Sequence, residues 1–314
     1  MRRTLLGYAG ALGLLGVVWA LDIFAIPWTD GYLTSVLIQV GINMLAAAGL
    51  SLVLGFTGQF SLGQAGFIAI GAYMAGYLSL HLGVPPMVAV VAGGLAAAVG
   101  GFAVGMPSLR LSGDYLAVVT LGFNGIIVVL IQNMESLGAA LGMIGLPKAT
   151  TFGWTYTWLV LGALMLRNLL NSGHGRAFKA VRDNEIAVRS LGVNTTSVKV
   201  VAFVIGAFWA GIAGGLLAFK NQSISPNQFV YDRSIELVAM VVLGGTGSLS
   251  GPMIAAAVLT ALPEVLRPIA AYRMILYAIV LVVMMIVRPQ GLMGTRELSD
   301  VLRAGLRRLR GGAA

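Results

Sequence analysis

Few side chains in this 314-residue chain are of the types that do covalent or metal chemistry, and their spacing does not cluster them. The chain has no cysteine, and its two histidines, His81 and His174, stand in different segments. Disulfides, thiolate metal sites and histidine clusters are therefore excluded, and we expect no bound metal or cofactor. No glycine-rich loop ends in Gly-Lys-Ser or Gly-Lys-Thr, so the sequence has no P-loop and any ATP would be bound by another chain.

A second kind of chemistry is open to uncharged polar side chains that stand among apolar residues. Such groups need hydrogen-bond partners within a membrane. They either join helices through hydrogen bonds, as Gln39 would, or line a path for a polar solute. The stretch GFTGQFSLGQAG favours a discontinuous helix, which would expose backbone N–H and C=O groups to such a solute. The candidate path residues are Asn43, Gln59, Ser61, Gln64, Thr120 and Asn124.

One densely charged stretch, GRAFKAVRDNEIAVRSLGVNTTSVK at residues 175–199, contrasts with a chain in which only 10% of residues are charged. Its pattern predicts two short helices, Arg176–Arg182 and Asn184–Leu191, with Asp183 as an N-cap. Gly192 is predicted to end the second helix in a left-handed conformation. Apolar side chains alternate with the charges, as on a surface that presses against a soluble partner. A solvated loop is the alternative.

The composition determines which elements carry these residues. The chain is 58% hydrophobic with 43 glycines, and its mean hydropathy of +0.91 exceeds what a soluble domain of this length hides from water. Apolar runs that suit a hydrocarbon core of about 30 Å recur, so we predict an all-α polytopic membrane protein with about ten transmembrane helices. The runs lie near residues 5–21, 32–54, 57–80, 86–109, 115–131, 152–166, 200–219, 235–246, 251–266 and 273–287. The eighth and ninth runs flank GGTGSLSG and are either two spans or one kinked or re-entrant span.

The basic residues indicate how the spans are oriented. With ten crossings and a cytoplasmic N terminus, all but five of the 20 Lys and Arg residues lie on the cytoplasmic side, where such residues collect. The five outside are Lys148, Lys220, Arg233, Arg267 and Arg273. Both termini and the charged stretch are then cytoplasmic, and the net charge of +9 requires no nucleic acid partner. The basic tail RAGLRRLRGG also suits anionic lipid head groups.

The carboxylates discriminate between classes of membrane protein. By sequence position they fall in loops, in tails or near span ends, with Glu264 in the last turn of a short span. A proton-coupled secondary transporter normally needs an ionisable group at mid-membrane, so this class is disfavoured, while sodium coupling through backbone carbonyls stays open. A channel leaves the charged stretch unexplained. An intramembrane enzyme needs a catalytic cluster, and the sequence shows none.

Several blocks of the sequence resemble permeases of ABC importers, specifically the Liv family, which imports branched-chain amino acids. They are LGFTGQFSLGQAGFIAIGAY, LRLSGDYLAVVTLGF, ISPNQFVYDRSIELVAMVVLGGTGSLSGP and RPQGLMG, in that family's order. GRAFKAVRDNEIAVRSLGVN resembles the family's cytoplasmic coupling loop, with Glu185, Ala187 and Gly192 at its acidic, alanine and glycine positions. Of the family's two permease subunits, the chain resembles the LivM type.

This resemblance implies an ABC importer permease domain over residues 1–294, with a cytoplasmic coupling loop at 167–199, and a basic cytoplasmic tail at 295–314. It implies a non-enzymatic subunit that moves Leu, Ile and Val across the bacterial inner membrane while partners hydrolyse ATP. The implied partners are a homologous LivH-type permease, two ABC ATPase subunits and a periplasmic substrate-binding protein. The same architecture carries urea, amides or other amino acids, so the substrate class stays open. The implied ATPase-coupling residues are Arg176, Phe178, Arg182, Asp183, Glu185, Ala187 and Gly192.

Overall fold

The computed structural model describes residues 13–23, 31–109 and 113–267, together with short pieces between 275 and 297. The helices are α1 (Gly13–Ile23), α2 (Gly31–Ser51), α3 (Gln64–Leu82), α4 (Pro86–Ser108), α5 (Asp114–Asn133), α6 (Phe152–Asn171), α7 (Gly173–Asp183), α8 (Glu185–Ser190), α9 (Thr195–Asn221), α10 (Tyr231–Gly244) and α11 (Ser250–Val265). Two short strands, β1 (Met143–Ile144) and β2 (Ser223–Ile224), pair antiparallel. Short 3₁₀ turns occupy Glu135–Leu137, Ala139–Leu141 and Pro226–Phe229.

Five of the described helices are long and apolar enough to cross a membrane. They are α3, α4, α5, α9, and α2 together with the turn that continues it to Phe56. Two more, α1 and α11, are apolar but shorter. These helices agree with the predicted polytopic helical protein. The expected tenth span at 273–287 and the tail at 295–314 lie mostly outside the described residues, so the count of ten and the cytoplasmic termini stay predictions.

Contacts between distant segments define the two ends of the helix bundle. At one end, Arg182 of α7 bonds to Gly55 in the turn after α2, and we call this the α7 end. At the other end, Gly76 of α3 lies against Met143 of β1 and Ile224 of β2, and we call this the β end. It follows that α2 runs from the β end to the α7 end, and that α3 and α9 run the opposite way.

Close backbone contacts hold α3, α4 and α9 together at the centre of the bundle. A Cβ atom added at Gly71 of α3 would lie 2.2 Å from the carbonyl oxygen of Gly211 in α9. One added at Gly93 of α4 would lie 2.5 Å from the carbonyl oxygen of Gly71. Small residues allow this approach, which favours helix association in lipid, where hydrophobic burial drives association weakly. The packing fixes the position of α3 and of the polar residues that precede it.

The eighth and ninth apolar runs fold as a hairpin of two helices, α10 and α11. Its turn is compact, because a Cβ atom added at Gly251 would lie 2.2 Å from the carbonyl oxygen of Gly244. The helices have 14 and 16 residues and so are about 21 and 24 Å long, less than a hydrocarbon core of about 30 Å. Gly247 of the hairpin turn lies next to Gly55. The hairpin therefore reaches the α7 end with helices too short to span the core alone.

The segment between α6 and α9 is shorter than the predicted loop at 167–199. On one side, α6 continues to Asn171. On the other side, α9 already begins at Thr195, because the side chain of Asn194 accepts a hydrogen bond from the N–H of Ser197 and caps the helix. The charged stretch is thus held between two long helices over a short span of chain.

Candidate functional site

The end of α2 carries a break that contains the polar motif. Residues 52–56 form one π-helical turn, Thr57 is still helical and residues 58–63 are not, so α3 begins at Gln64 instead of at the predicted 57. Gly58 permits this path, because its φ of +69° lies in the left-handed region, which costs a residue with a side chain about 1–2 kcal/mol. A discontinuous helix is therefore present at this motif. We call residues 58–63 the polar break.

Three candidate path residues lie in or beside the polar break, and all three are buried. Gln59 is 3% exposed, and neither polar atom of its side chain has a hydrogen-bond partner among the described residues. Ser61 accepts a hydrogen bond from the N–H of Gly63 at 3.3 Å, and Gln64 donates one to the carbonyl of Gly206 in α9 at 3.4 Å. An unmet buried polar group costs about 1–3 kcal/mol, so a polar ligand or water would be stabilised beside Gln59.

Two further candidate path residues approach the polar break from α5. Thr120 is fully buried, and its hydroxyl accepts a hydrogen bond from the N–H of Leu62 and donates one to the carbonyl of Ala117, both at 3.0 Å. Asn124 lies one turn further along, and its side-chain oxygen has no partner in the described part of the chain. That oxygen would be 3.0 Å from a Cβ atom at Gly66. Five of the six candidates thus gather around the polar break and the start of α3.

Asn43, the sixth candidate, lies in a separate polar cluster between α2, α10 and α11. Its amide nitrogen donates a hydrogen bond to the hydroxyl of Thr260 at 2.8 Å. Its amide oxygen accepts hydrogen bonds from Gln39 and from the guanidinium of Arg233. Arg233 also forms an ion pair with Glu236 on the same face of α10. Asn43 is thus fully engaged in contacts between helices.

The Arg233–Glu236 pair lies further along α2 than the sequence pattern suggests. The guanidinium reaches Asn43, which stands halfway along the 26-residue span Gly31–Phe56, whereas the charge pattern predicts Arg233 outside the membrane and Glu236 near a span end. The sequence does contain a feature that could have indicated this ion pair: an Arg and a Glu three residues apart in an apolar helix. Because this carboxylate is paired, it is not the free mid-membrane acid that a proton-coupled transporter uses.

The charged stretch folds as α7 and α8, two short helices as predicted. α7 begins at Gly173, earlier than the predicted Arg176, since Ser172 has extended backbone and stands at the cap position. Phe178 is fully buried and Val181 is 4% exposed, so the apolar face of α7 anchors it to the bundle. Phe178 therefore supports the segment from inside, while Arg176 is exposed.

The opposite part of α7 holds the turn that leads into the polar break. Arg182 donates a hydrogen bond from Nη1 to the carbonyl oxygen of Gly55 at 3.1 Å. The aliphatic part of the same side chain lies against Gly58, where an added Cβ atom would be 3.2 Å from it. Lys179 Nζ stands 5.9 Å from the centre of the Phe56 ring. A displacement of α7 would therefore act directly on the π-helical turn and the polar break.

Helix α8 is capped by Asn184 and not by Asp183, which corrects the predicted N-cap. The side-chain oxygen of Asn184 accepts a hydrogen bond from the N–H of Ala187 at 3.0 Å. Asp183 instead pairs with the guanidinium of Arg182 at 3.0 Å, and this interaction draws its carboxylate away from the helix end. Gly192 follows α8 with a φ of +81°, in the left-handed conformation that the sequence predicted.

Glu185 is paired inside the chain. Its carboxylate lies 2.5 Å from Lys199 Nζ and 3.6 Å from Arg189. Burial raises the pKa of Glu185, but the hydrogen bond and positive charge of Lys199 outweigh it, so the pKa lies below its usual value. The pair ties α8 to the start of α9.

The outer face of α8 is apolar. Ile186 and Leu191 are 81% and 82% exposed, and Ala187 and Val193 are exposed beside them. We call these four residues the α8 tip. Exposed apolar side chains that are rimmed by charge are typical of protein interaction sites. The α8 tip is therefore the part of this segment best suited to touch a partner.

Most of the chain matches one family of transport proteins. A family model described as "Branched-chain amino acid transport system / permease component" matches residues 32–288. The chain belongs to this permease family. The high-affinity branched-chain amino acid transport system permease protein LivM of Salmonella typhimurium is 36% identical over 299 residues, which cover 84% of this chain and 70% of that protein. LivM of Escherichia coli is 36% identical over 318 residues, with coverages of 90% and 73%.

A more distant relative comes from an archaeon. The probable branched-chain amino acid transport permease protein LivM of Methanocaldococcus jannaschii is 26% identical over 265 residues, which cover 70% of this chain and 76% of that protein. No solved structure matches the chain. In this member of the permease family, one connected unit leads from an exposed surface to buried polar side chains. It consists of the α8 tip, α7, the π-helical turn and the polar break.

Proposed function

We propose that this permease is the membrane-spanning subunit of an ATP-driven importer of branched-chain amino acids. The family match and the names of the LivM relatives support the substrate class. The observation that carries the coupling part is the hydrogen bond from Arg182 to the Gly55 carbonyl, which joins the charged segment to the turn that leads into the polar break. A solvated loop with no role in transport would need no such link.

The proposed coupling begins at the α8 tip, where Ile186 and Leu191 offer apolar contact to an ATPase. Movement of the ATPases would displace α7, and Arg182 would carry that displacement to the turn at 52–56. A π-helical turn holds one extra residue per turn, and such turns are frequent at functional sites. The permease states must differ in their contacts with the ATP-bound partner, since only differential binding shifts their equilibrium.

The proposed assembly contains a second permease of the LivH type, two ABC ATPases and a periplasmic substrate-binding protein, in a bacterial inner membrane. The ATPases would contact the α7 end and the binding protein the β end. The basic residues Arg176, Lys179, Arg182 and Arg189 at the α7 end support a cytoplasmic position for it. Hydrolysis of ATP would take place on the partners, and this chain would act as a transport subunit and not as an enzyme.

An ion-coupled secondary transporter is the second candidate, and one observation favours it. Glu236 places a carboxylate near the middle of the Gly31–Phe56 span. Its ion pair with Arg233 argues against this candidate, because the carboxylate is already engaged and is not the free acid that a proton-coupled transporter uses. Import of urea, amides or other amino acids by the same architecture remains the alternative for the substrate.

The function is tested with the complete complex reconstituted in proteoliposomes. We expect uptake of L-leucine, L-isoleucine and L-valine only when ATP and the binding protein are both present, and little uptake of urea or acetamide. ADP in place of ATP is the matched control. Uptake driven by a proton or sodium gradient without ATP would overturn the proposal and favour the ion-coupled alternative.

The proposed orientation is tested by labelling cysteines in this cysteine-free chain. Asn227→Cys at the β end and Ser190→Cys at the α7 end stand at exposed positions and should label from opposite faces of the membrane. Ser51→Cys, which is fully buried, should label from neither face. Labelling of Asn227→Cys and Ser190→Cys from the same face would contradict the orientation.

A further inference from the structure

A small polar cavity opens between α2, α9 and α11, nearer the β end than the Asn43 cluster. Its volume is about 270 Å³. The cavity is separate from the polar break, and none of its lining residues is among the six candidate path residues. They are Tyr32, Ser35, Val36 and Gln39 from α2, Lys220 from α9, and Thr260 and Glu264 from α11.

The cavity contains one positive and one negative side chain that do not pair with each other. Lys220 Nζ donates a hydrogen bond to the side-chain oxygen of Gln39 at 2.6 Å. Glu264 accepts a hydrogen bond from the hydroxyl of Tyr32. The four ion pairs in the described part of the chain include neither Lys220 nor Glu264. The hydrogen-bond partners of both charges are therefore neutral, and a third charge, the guanidinium of Arg267, lies 4.5 Å from the centre of the Tyr32 ring.

Neighbouring charges do not compensate Lys220. The charge that acts on Lys220 is Arg233, which is also positive and is itself paired with Glu236. Half-buried charges without counter-ions are costly at membrane depth. A bound group with a carboxylate would meet the unpaired ammonium, and a bound ammonium would meet the carboxylate of Glu264.

We propose that this cavity binds the zwitterionic head of a free α-amino acid, with its carboxylate at Lys220 and its ammonium at Glu264. The inference rests on the proposed function and assigns it a substrate site. The volume of about 270 Å³ lies just below the roughly 300–1,000 Å³ of pockets that bind drug-sized ligands, which suits a smaller ligand such as a free amino acid. Val36 and the ring of Tyr32 offer apolar contact for its side chain. The β end would then hold substrate on its way to or from the polar break.

The test measures binding of tritiated L-leucine to the full-length chain, purified in its membrane complex and freed of the soluble binding protein. Lys220→Met and Glu264→Gln should each weaken binding about 10- to 100-fold, the range expected for losing one charged hydrogen bond. Lys220→Met should bind leucine and leucinol, which lacks the carboxylate, equally well. Glu264→Gln should bind leucine and 4-methylpentanoate, which lacks the ammonium, equally well.

Matched controls stand at the same end of the bundle. Lys148→Met and Glu135→Gln remove the same charges at exposed positions outside the cavity and should bind leucine as the parent does. If the cavity variants do not assemble, the parent decides the matter, because it should bind both analogues at least about tenfold more weakly than leucine.

Parent-like leucine binding by both cavity variants would overturn the inference and leave Lys220 as a residue that only favours the end of α9. Equal binding of leucine and both analogues by the parent would overturn it as well. ATP-driven leucine uptake by the complete complex, measured in parallel, separates the two proposals. If that uptake persists while the cavity fails these tests, only the substrate site is wrong. If the parent complex takes up no branched-chain amino acid, the proposed function itself fails.

Discussion

Replacing Arg182 with methionine should uncouple ATP hydrolysis from transport without releasing the ATPase. Methionine keeps an unbranched apolar side chain against Gly58. It loses the hydrogen bond to the Gly55 carbonyl, which measures 3.1 Å, and the ion pair with Asp183. The α8 tip, which we propose as the ATPase contact, is not altered. The variant therefore separates binding of the ATPase from transmission of its movement.

The two lost interactions differ in size. A hydrogen bond that involves a charged group contributes about 1.5–3 kcal/mol. The ion pair with Asp183 contributes about 0–1 kcal/mol, because the two side chains are 29% and 67% exposed. The link to Gly55 therefore dominates. Since 1.4 kcal/mol corresponds to a factor of ten, transport per ATP should fall at least about tenfold if this link carries the coupling.

The assay measures leucine transported per ATP hydrolysed in proteoliposomes, together with recovery of the ATPase in pull-downs from detergent extracts. Asp183→Asn is the matched control, because it removes the ion pair and leaves the bond from Arg182 to Gly55. It should change the ratio by at most about fivefold, the factor that corresponds to 1 kcal/mol. A ratio for Arg182→Met within twofold of the parent would refute the reasoning.

Four further changes test other parts of the structure. Gly192→Val should keep the chain in the membrane but weaken recovery of the ATPase in pull-downs, since a β-branched residue at a φ of +81° costs about 1–2 kcal/mol and redirects the α8 tip. Glu185→Lys should act alike, because it sets two like charges where Glu185 now pairs with Lys199. The pKa of Glu185 is lower in the folded protein than in the unfolded chain, so its ionised carboxylate stabilises the fold. This stabilisation is complete above the unfolded pKa of about 4.3 and is lost as the pH falls through the folded pKa. The difference in thermal midpoint between the parent and Lys199→Met should therefore vanish toward acid pH. Gly71→Val should prevent assembly, measured as the yield of monodisperse complex, because its Cβ would lie 2.2 Å from a backbone oxygen of α9.

Each of these changes has a contradicting result. If Gly192→Val and Glu185→Lys both bind ATPase and transport as the parent does, the segment is only a solvated loop. A thermal difference for Lys199→Met that is the same at all pH values would contradict the ion pair as its cause. Gly125→Val is the matched control for Gly71→Val, because a Cβ atom at Gly125 meets no described atom within 4 Å. Equal yields of both variants would contradict the central packing.

Features with a short-range cause could be predicted from the sequence. The apolar runs predicted the long helices, since the composition of each run is a property of neighbouring residues. Gly192 was predicted at a left-handed position, and the polar motif after α2 was predicted to interrupt a helix; both are present. The predicted N-cap at Asp183 was wrong, although Asp and Asn cap helices about equally well. In the structure Asp183 forms an ion pair with Arg182, and Asn184 caps the helix instead.

The sequence by itself determined that the protein is helical and apolar, and that one charged segment and one polar break interrupt it. It could not determine that these two interruptions touch, because Arg182 and Gly55 are 127 residues apart and meet only when α7 packs against the turn after α2. The same holds for the Arg233–Asn43 contact and for the cavity around Lys220 and Glu264, since each joins residues that are far apart in the sequence. Local preferences act over a few residues, whereas the partners of a buried charge are decided by which helices lie side by side.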